Sequence, residues 1–250
     1  VKLQIPVCHV EAGIRLGTLS NPGEVNRICT DHVSDLLLFC TNSAKVSLAS
    51  EGLLEKAQWL GDPIYDTFIY FGNGVSRLNT ADIVTLEGEP VAIGDDFYYL
   101  TCHRQENTNT EQNLVEILTA MNNLDAPTVY PVHPRTQKMA IRLKDRFRNV
   151  HFIKHTSLAL VKSARKIVID SGGLQREAFF AEKQCVFVFD RVAWPETMVG
   201  NRNQLASPSA DDIMEKLSTS QYVDPTYRPF GEGHAGEQIA KAIVAWEGRT

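Results

Sequence analysis

From residue 97 onward the chain alternates short apolar runs with helix-patterned segments, and every run is continuously apolar instead of alternating between apolar and polar. "FYYLTCH", "TVYPVH", "VHFI", "KIVID" and "CVFVF" read as strands. "TEQNLVEILTAMNNL", "RTQKMAIRLKDRF", "SLALVKSA" and "LQREAFFAEK" read as the helices between them. A strand that is apolar on successive residues must be covered on both faces, and strand–helix succession supplies the cover. This pattern predicts an α/β fold built on parallel sheet.

The first seventy residues follow the same rhythm. A strand around Ile5–Val10 leads into the loop "EAGIRLGTLSNP", and Pro22 opens a helix, as proline at a first helical position should. "LLLFC" reads as a buried strand. "TNSAKVSLASEGL" reads as a helix with Asn42 or Ser43 as N-cap and Gly52 closing it. "QWLGDP" reads as a short strand and turn. Residues 72–96, rich in Gly and Asp and without a clear period, read as a linker with a possible short helix. The opening "VKLQIPVCHVEAG" resembles the middle of a domain, so the expectation is a fragment of a longer chain.

Composition narrows the partners. The chain has 250 residues, enough for one large or two modest cores, and its net charge of −5 gives no electrostatic reason to expect nucleic acid. Basic groups in an anion site must therefore be placed locally. No apolar run approaches the roughly 18 residues of a membrane span, and no signal peptide is visible. The five cysteines, Cys8, Cys29, Cys40, Cys102 and Cys185, form no CxxC pair and read as reduced core residues of a cytoplasmic protein without a metal site.

Polar residues collect where the strands end. "YYLTC" runs into His103-Arg104, "TVYPV" into His133-Pro134-Arg135, and "KIVI" into Asp170-Ser171-Gly172-Gly173; the first strand ends in His9-Val10-Glu11. In open parallel sheets, ligands bind outside the carboxyl ends of the strands. "DSGG" leads from a strand into a helix, so its amides and the helix dipole suit a phosphate, although the glycines could equally serve only a tight turn. Two histidines, arginines, a helix N-terminus and a carboxylate suit a diphosphate ligand and proton transfer. Glu177, less than two turns past Ser171, either reaches ribose hydroxyls or faces solvent.

In order along the chain, "HVEAGIR", "NPGEVNR", "TCHRQEN", "VYPVHP", "DSGGLQREA" and "PFGEGHAGEQI" resemble the non-hydrolysing UDP-N-acetylglucosamine 2-epimerases. The spacing from Glu11 to Arg27, with "TDHVSDLLL" and Trp194, is similar to the branch that acts on UDP-diacetamido-uronic acids. The resemblance implies two Rossmann-like, doubly wound parallel-sheet domains in the GT-B manner, the first incomplete, with a nucleotide sugar between them. Residues 1–71 would be the remainder of the first domain, 72–96 the linker and 97–222 the second domain. Residues 223–250 would be a turn and helix packing back toward the first.

The implied activity is inversion at the carbon bearing the acetamido group, by loss of UDP to give a glycal and its re-addition, with neither metal nor redox cofactor. By match, Glu11 contacts the sugar and serves proton transfer, and His103 is the acid or leaving-group partner. Ser171, Gly172 and Gly173 hold the phosphates and Glu177 the ribose, while Arg104 and His133 line the substrate cleft. A cytoplasmic homodimer working in cell-surface polysaccharide biosynthesis is implied as well.

Several residues depart from the family pattern. Gly23 stands where a catalytic glutamate is expected, and the adjacent Glu24 on a helix would point about 100° away. Phe189 stands where an arginine is expected, "DRVAWPE" lacks a threonine, and Ser157 falls where an aromatic would stack on uracil. Two other readings therefore stay open: a nucleotide-sugar-binding homologue without turnover, and a GT-B glycosyltransferase.

Overall fold

The structure, a computed structural model, describes residues 2–74, 83–91, 93–154 and 158–246. Its contacts divide into two compact units. The first comprises residues 1–73, 193–196 and 224–250, and the second residues 74–192 and 197–223. Among the described residues the strands of each sheet pair in parallel.

In the first unit β1 (Cys8–Val10), β2 (Leu36–Phe39) and β3 (Ala57–Trp59) lie in that order. The central strand "LLLF" is buried at all four positions, as a strand covered on both faces must be. Helix α1 (Pro22–Val33) has Pro22 in its first turn, and Asn21 caps it by accepting the Gly23 N–H at 2.8 Å. At the other end the Lys56 ammonium donates to the carbonyls of Asp31, His32 and Ser34, satisfying acceptors the helix leaves open.

Helix α2 (Asn42–Ser50) is capped by Thr41, one residue earlier than either expected position. The Thr41 hydroxyl accepts the Ala44 N–H at 3.4 Å, while Ser43 N–H and Oγ donate to the carboxylate of Glu196, 153 residues away. Gly52 (φ +72°) ends α2 as expected. Leu53 N–H reaches Leu48 O and Gly52 N–H reaches Ala49 O, the paired bonds of a Schellman turn. Helix α3 (Pro63–Gly74) receives α10 (Ala235–Ala245) through Asp66, whose carboxylate accepts the N–H groups of Ala235 and Gly236 at the start of α10.

The second unit carries six strands: β4 (Tyr98–Thr101), β5 (Thr128–Pro131), β6 (Val150–Ile153), β7 (Ile167–Ile169), β8 (Cys185–Val188) and β9 (Asn203–Ala206). Their spatial order is β6-β5-β4-β7-β8-β9, the doubly wound 3-2-1-4-5-6 arrangement. Alternate residues of each strand feed two separate cores. Tyr98 and Leu100 pack with residues of α5 (Glu111–Asn122), α6 (Gln137–Leu143) and α9 (Ala210–Ser218). Tyr99, Ile167 and Ile169 pack with residues of α7 (Leu158–Ser163) and α8 (Gly172–Phe180). Within the segment read as a linker, Val84 bridges Pro90 and Thr85 bridges Ile153, while Ile83, Val91 and Ile93 are buried in the second core.

One sequence expectation needs correcting. Cys40, Cys102 and Cys185 are buried, but Cys8 is only half-buried and Cys29 is exposed. The residues α1 buries are Glu24 and Asp31, and Cys29 lies on its solvent side.

Candidate functional site

The order of the second sheet reverses between β4 and β7, so the chain leaves their carboxyl ends in opposite directions and opens a crevice there. β4 leads through Cys102, His103 and Arg104 into the short helix α4 (Gln105–Thr108), and β7 leads through Asp170 and Ser171 into α8. The crevice is thus shaped by two strand–helix turns, and Asp170 ties one to the other.

Asp170 is 1% exposed. Its Oδ2 accepts the backbone N–H groups of His103 (2.8 Å) and Arg104 (2.7 Å) and the amide of Asn107 (3.4 Å). Its Oδ1 lies 3.3 Å from His103 Nδ1. A buried carboxylate is retained only where such donors surround it.

His103 stacks on His133 with centroids 4.9 Å apart and planes 22° apart. Burial holds the His103 imidazole below its ordinary pKa, and His133, Arg104 and Arg135 push the same way against the opposing pull of Asp170. The ring is therefore neutral at neutral pH. His133 is exposed, and its Nδ1 accepts the N–H of Arg135 at 3.2 Å.

Ser171 is the N-cap of α8 and forms no side-chain cap bond, so the amides of Gly172 and Gly173 open the helix without intrahelical acceptors. A Cβ built on Gly172 would meet Arg104 Nη2 at 3.8 Å, which places the guanidinium over this helix end. Among the described residues no carboxylate lies within ion-pair distance of Arg104. Its charge rests on the face of Phe189, 4.1 Å from the ring centroid. Glu177, on the same helix, is half-buried, and burial raises its carboxyl pKa against the lowering effect of Arg176.

Seven of the sequence-derived candidates, His103, Arg104, His133, Ser171, Gly172, Gly173 and Glu177, belong to this one unit. Glu11 belongs to the first unit, immediately after β1, with φ +70°, a left-handed conformation uncommon for a side-chain-bearing residue. Its loop is fixed by Asp31, which is fully buried. Asp31 Oδ1 meets His9 Nδ1 at 2.5 Å, and its Oδ2 accepts the Gly13 N–H (3.0 Å) and contacts Arg15 Nη1 (2.7 Å). Burial alone would raise the Asp31 pKa, but the bonds from His9, Arg15 and Gly13 together hold it below the ordinary value. Gly13 (φ +82°) cannot be replaced cheaply, since a Cβ there would sit 2.6 Å from the Ala44 carbonyl.

Residues 1–244 match the model of the UDP-N-acetylglucosamine 2-epimerase family. The chain belongs to that family. It is 33% identical to a UDP-N-acetylglucosamine 2-epimerase homolog of Methanococcus maripaludis, across 97% of this chain and 70% of the relative. It is 32% identical to the UDP-2,3-diacetamido-2,3-dideoxy-D-glucuronate 2-epimerase of Pseudomonas aeruginosa, across 97% of this chain and 69% of the relative. In structure it resembles the Methanocaldococcus jannaschii UDP-GlcNAc 2-epimerase in complex with UDP-GlcNAc and UDP. That likeness has a TM-score of 0.84 at 28% identity and covers 98% of this chain and 70% of the other.

Within this epimerase-family framework the departures take physical form. Glu24, beside Gly23, is 1% exposed and already committed: it accepts the N–H groups of Leu16 (2.7 Å) and Gly17 (2.9 Å) and pairs with Arg27. Phe189, in place of an expected arginine, is the surface under Arg104. Ser157 lies outside the described residues. The sequence places Asp170 at the strand end without its anchoring role, and gives Asp31 no role. The available signals were a carboxylate directly after an all-apolar strand, and two acids seven residues apart on one helix, which share a face.

Proposed function

We propose that the chain is a non-hydrolysing UDP-sugar 2-epimerase that inverts C2 of a UDP-2-acetamido sugar. A carboxylate removes the C2 proton while the C1–O bond breaks, its electron pair leaving on the UDP β-phosphate oxygen and a C1=C2 double bond forming. The proton returns to the opposite face of C2 as the C1–O bond re-forms. With UDP-N-acetylglucosamine as substrate the product is UDP-N-acetylmannosamine.

The observation that carries this reading is the Asp170-anchored turn, which sets His103 and Arg104 against the open N-terminus of α8. The amides of Gly172 and Gly173 and the Arg104 guanidinium offer donors to a departing diphosphate, where charge develops. A bound diphosphate favours the protonated His103 ring, which as an imidazolium donates from one nitrogen to the phosphate and from Nδ1 to Asp170, closing the 3.3 Å gap between them. Glu177 is assigned to the ribose and His133 to the far side of the diphosphate. Glu11 is the proton-transfer carboxylate, its left-handed backbone consistent with a functional constraint. The same reading makes the enzyme a cytoplasmic homodimer that supplies precursors for cell-surface polysaccharide.

The test is incubation with UDP-N-acetylglucosamine in deuterium oxide with the C2 proton followed by NMR. Exchange at C2 without transfer to an acceptor supports epimerisation. Glu11→Gln should abolish exchange and leave UDP affinity within about tenfold, since the carboxylate acts in the transition state. A second reading, binding without turnover, is favoured by Gly23 and by the commitment of Glu24 to structural bonds. UDP binding with no exchange would select it.

A further inference from the structure

We infer that Phe189 is a positioning residue whose aromatic face holds Arg104 over the N-terminus of α8 without neutralising it; the inference rests on the reading of this helix end as a diphosphate site. Two aromatic rings and the guanidinium lie in sequence, the rings tilted by 46°. Phe187, 1% exposed in the core, supports Phe189 at 5.6 Å between centroids, and Phe189 supports the Arg104 guanidinium at 4.1 Å. The backbone fixes the top of this stack at both ends. Arg104 N–H is bound to Asp170 Oδ2, and Phe189 N–H is bound to Ala206 O at 3.1 Å.

The chemistry distinguishes this device from an ion pair. A carboxylate under Arg104 would orient it equally well but would cancel the charge and occupy its N–H donors. A ring attracts the cation through its quadrupole and leaves the planar fork of donors, at the guanidinium rim, open to a bidentate phosphate contact. Asp170, the nearest carboxylate in the turn, spends Oδ2 on three N–H donors and faces His103 with Oδ1. The anion site therefore keeps a full positive charge in a fixed orientation, and less ordering is left to the moment of binding.

The test compares Phe189→Leu and Phe189→Tyr with and without Arg104→Ala. In the free protein the Arg104 Nε–Hε resonance, displaced by the ring current of Phe189, should move toward the position of exposed arginines in Phe189→Leu and hold in Phe189→Tyr. UDP affinity by calorimetry should fall about threefold to tenfold in Phe189→Leu and be kept in Phe189→Tyr. The loss should vanish when Arg104 is already alanine. An unmoved resonance, or an affinity loss of the same size with and without Arg104, overturns the inference while UDP binding by the wild type stands. If the wild type binds no UDP at all, the reading of the site falls, and this inference with it.

Discussion

Oδ1 of Asp170 and Nδ1 of His103 stand 3.3 Å apart, and neither atom makes a hydrogen bond. Asp170 is also the one group that opposes the lowering of the His103 pKa. Asp170→Asn should therefore move the His103 titration further below 6.5, read from its ring-proton shifts by NMR. With the amide oxygen in the place of Oδ2 the backbone donors of the turn keep an acceptor but lose its charge, lowering stability by about 1–2 kcal/mol. Because the folded pKa of His103 lies below its unfolded value, the stability it contributes is complete above about pH 6.5. That contribution is lost as pH falls from there through the folded value. His103→Gln should flatten this part of the pH–Tm profile.

Gly172→Ala separates folding from binding. The added methyl would meet only Arg104 Nη2 at an ordinary 3.8 Å, so the protein should fold with stability unchanged or raised by about 0.5–1 kcal/mol. The same methyl stands where a phosphate oxygen must approach the amide. UDP affinity measured by calorimetry should fall by about tenfold or more.

Glu177→Gln should exchange function for stability. Burial raises the Glu177 pKa above 4.5, so the folded state holds the proton more tightly than the unfolded one. Its contribution is favourable below pH 4.5 and is lost as pH rises through the folded value, leaving a penalty at neutral pH. The variant should gain about 1–3 °C in Tm at pH 7.5 and nothing at pH 4, while nucleotide affinity falls.

Asp31→Asn removes the charge that His9, Gly13 and Arg15 share in the first unit. Breaking a buried pair from one side leaves Arg15 incompletely compensated, and a loss of about 3–5 kcal/mol is expected in denaturant unfolding. The wild-type contribution is present above pH 3.8 and is lost as pH falls through the lowered folded value, so the variant should also have a shallower acid limb.

The parallel sheets and the turns at their carboxyl ends were legible because they rest on local signals. "LLLF" and "IVI" are apolar on successive residues, Pro22 and Gly52 mark helix ends, and "DSGG" sits between strand and helix periods. What the sequence concealed depends on distant partners. Thr41 precedes the two residues expected to cap α2, and the second acceptor at that helix end, Glu196, is far along the chain. The side chain of Asp170 acquires its meaning only when β4 and β7 become neighbours and bring it to Arg104, 66 positions away in sequence. Phe189 read as the loss of a cation, whereas in three dimensions it is the platform on which another cation lies.

The bond from Ser43 to Glu196 also orders events during synthesis. The first unit draws on three separated stretches of polypeptide, so its amino-terminal seventy residues leave the ribosome long before the groups that finish it. Until residue 196 emerges, the start of α2 lacks its carboxylate, and until α10 emerges Asp66 has no amides to receive. Residues 74–192, the larger stretch of the second unit, emerge in the meantime, so the segment that carries α2 and α3 waits on partners translated well after it.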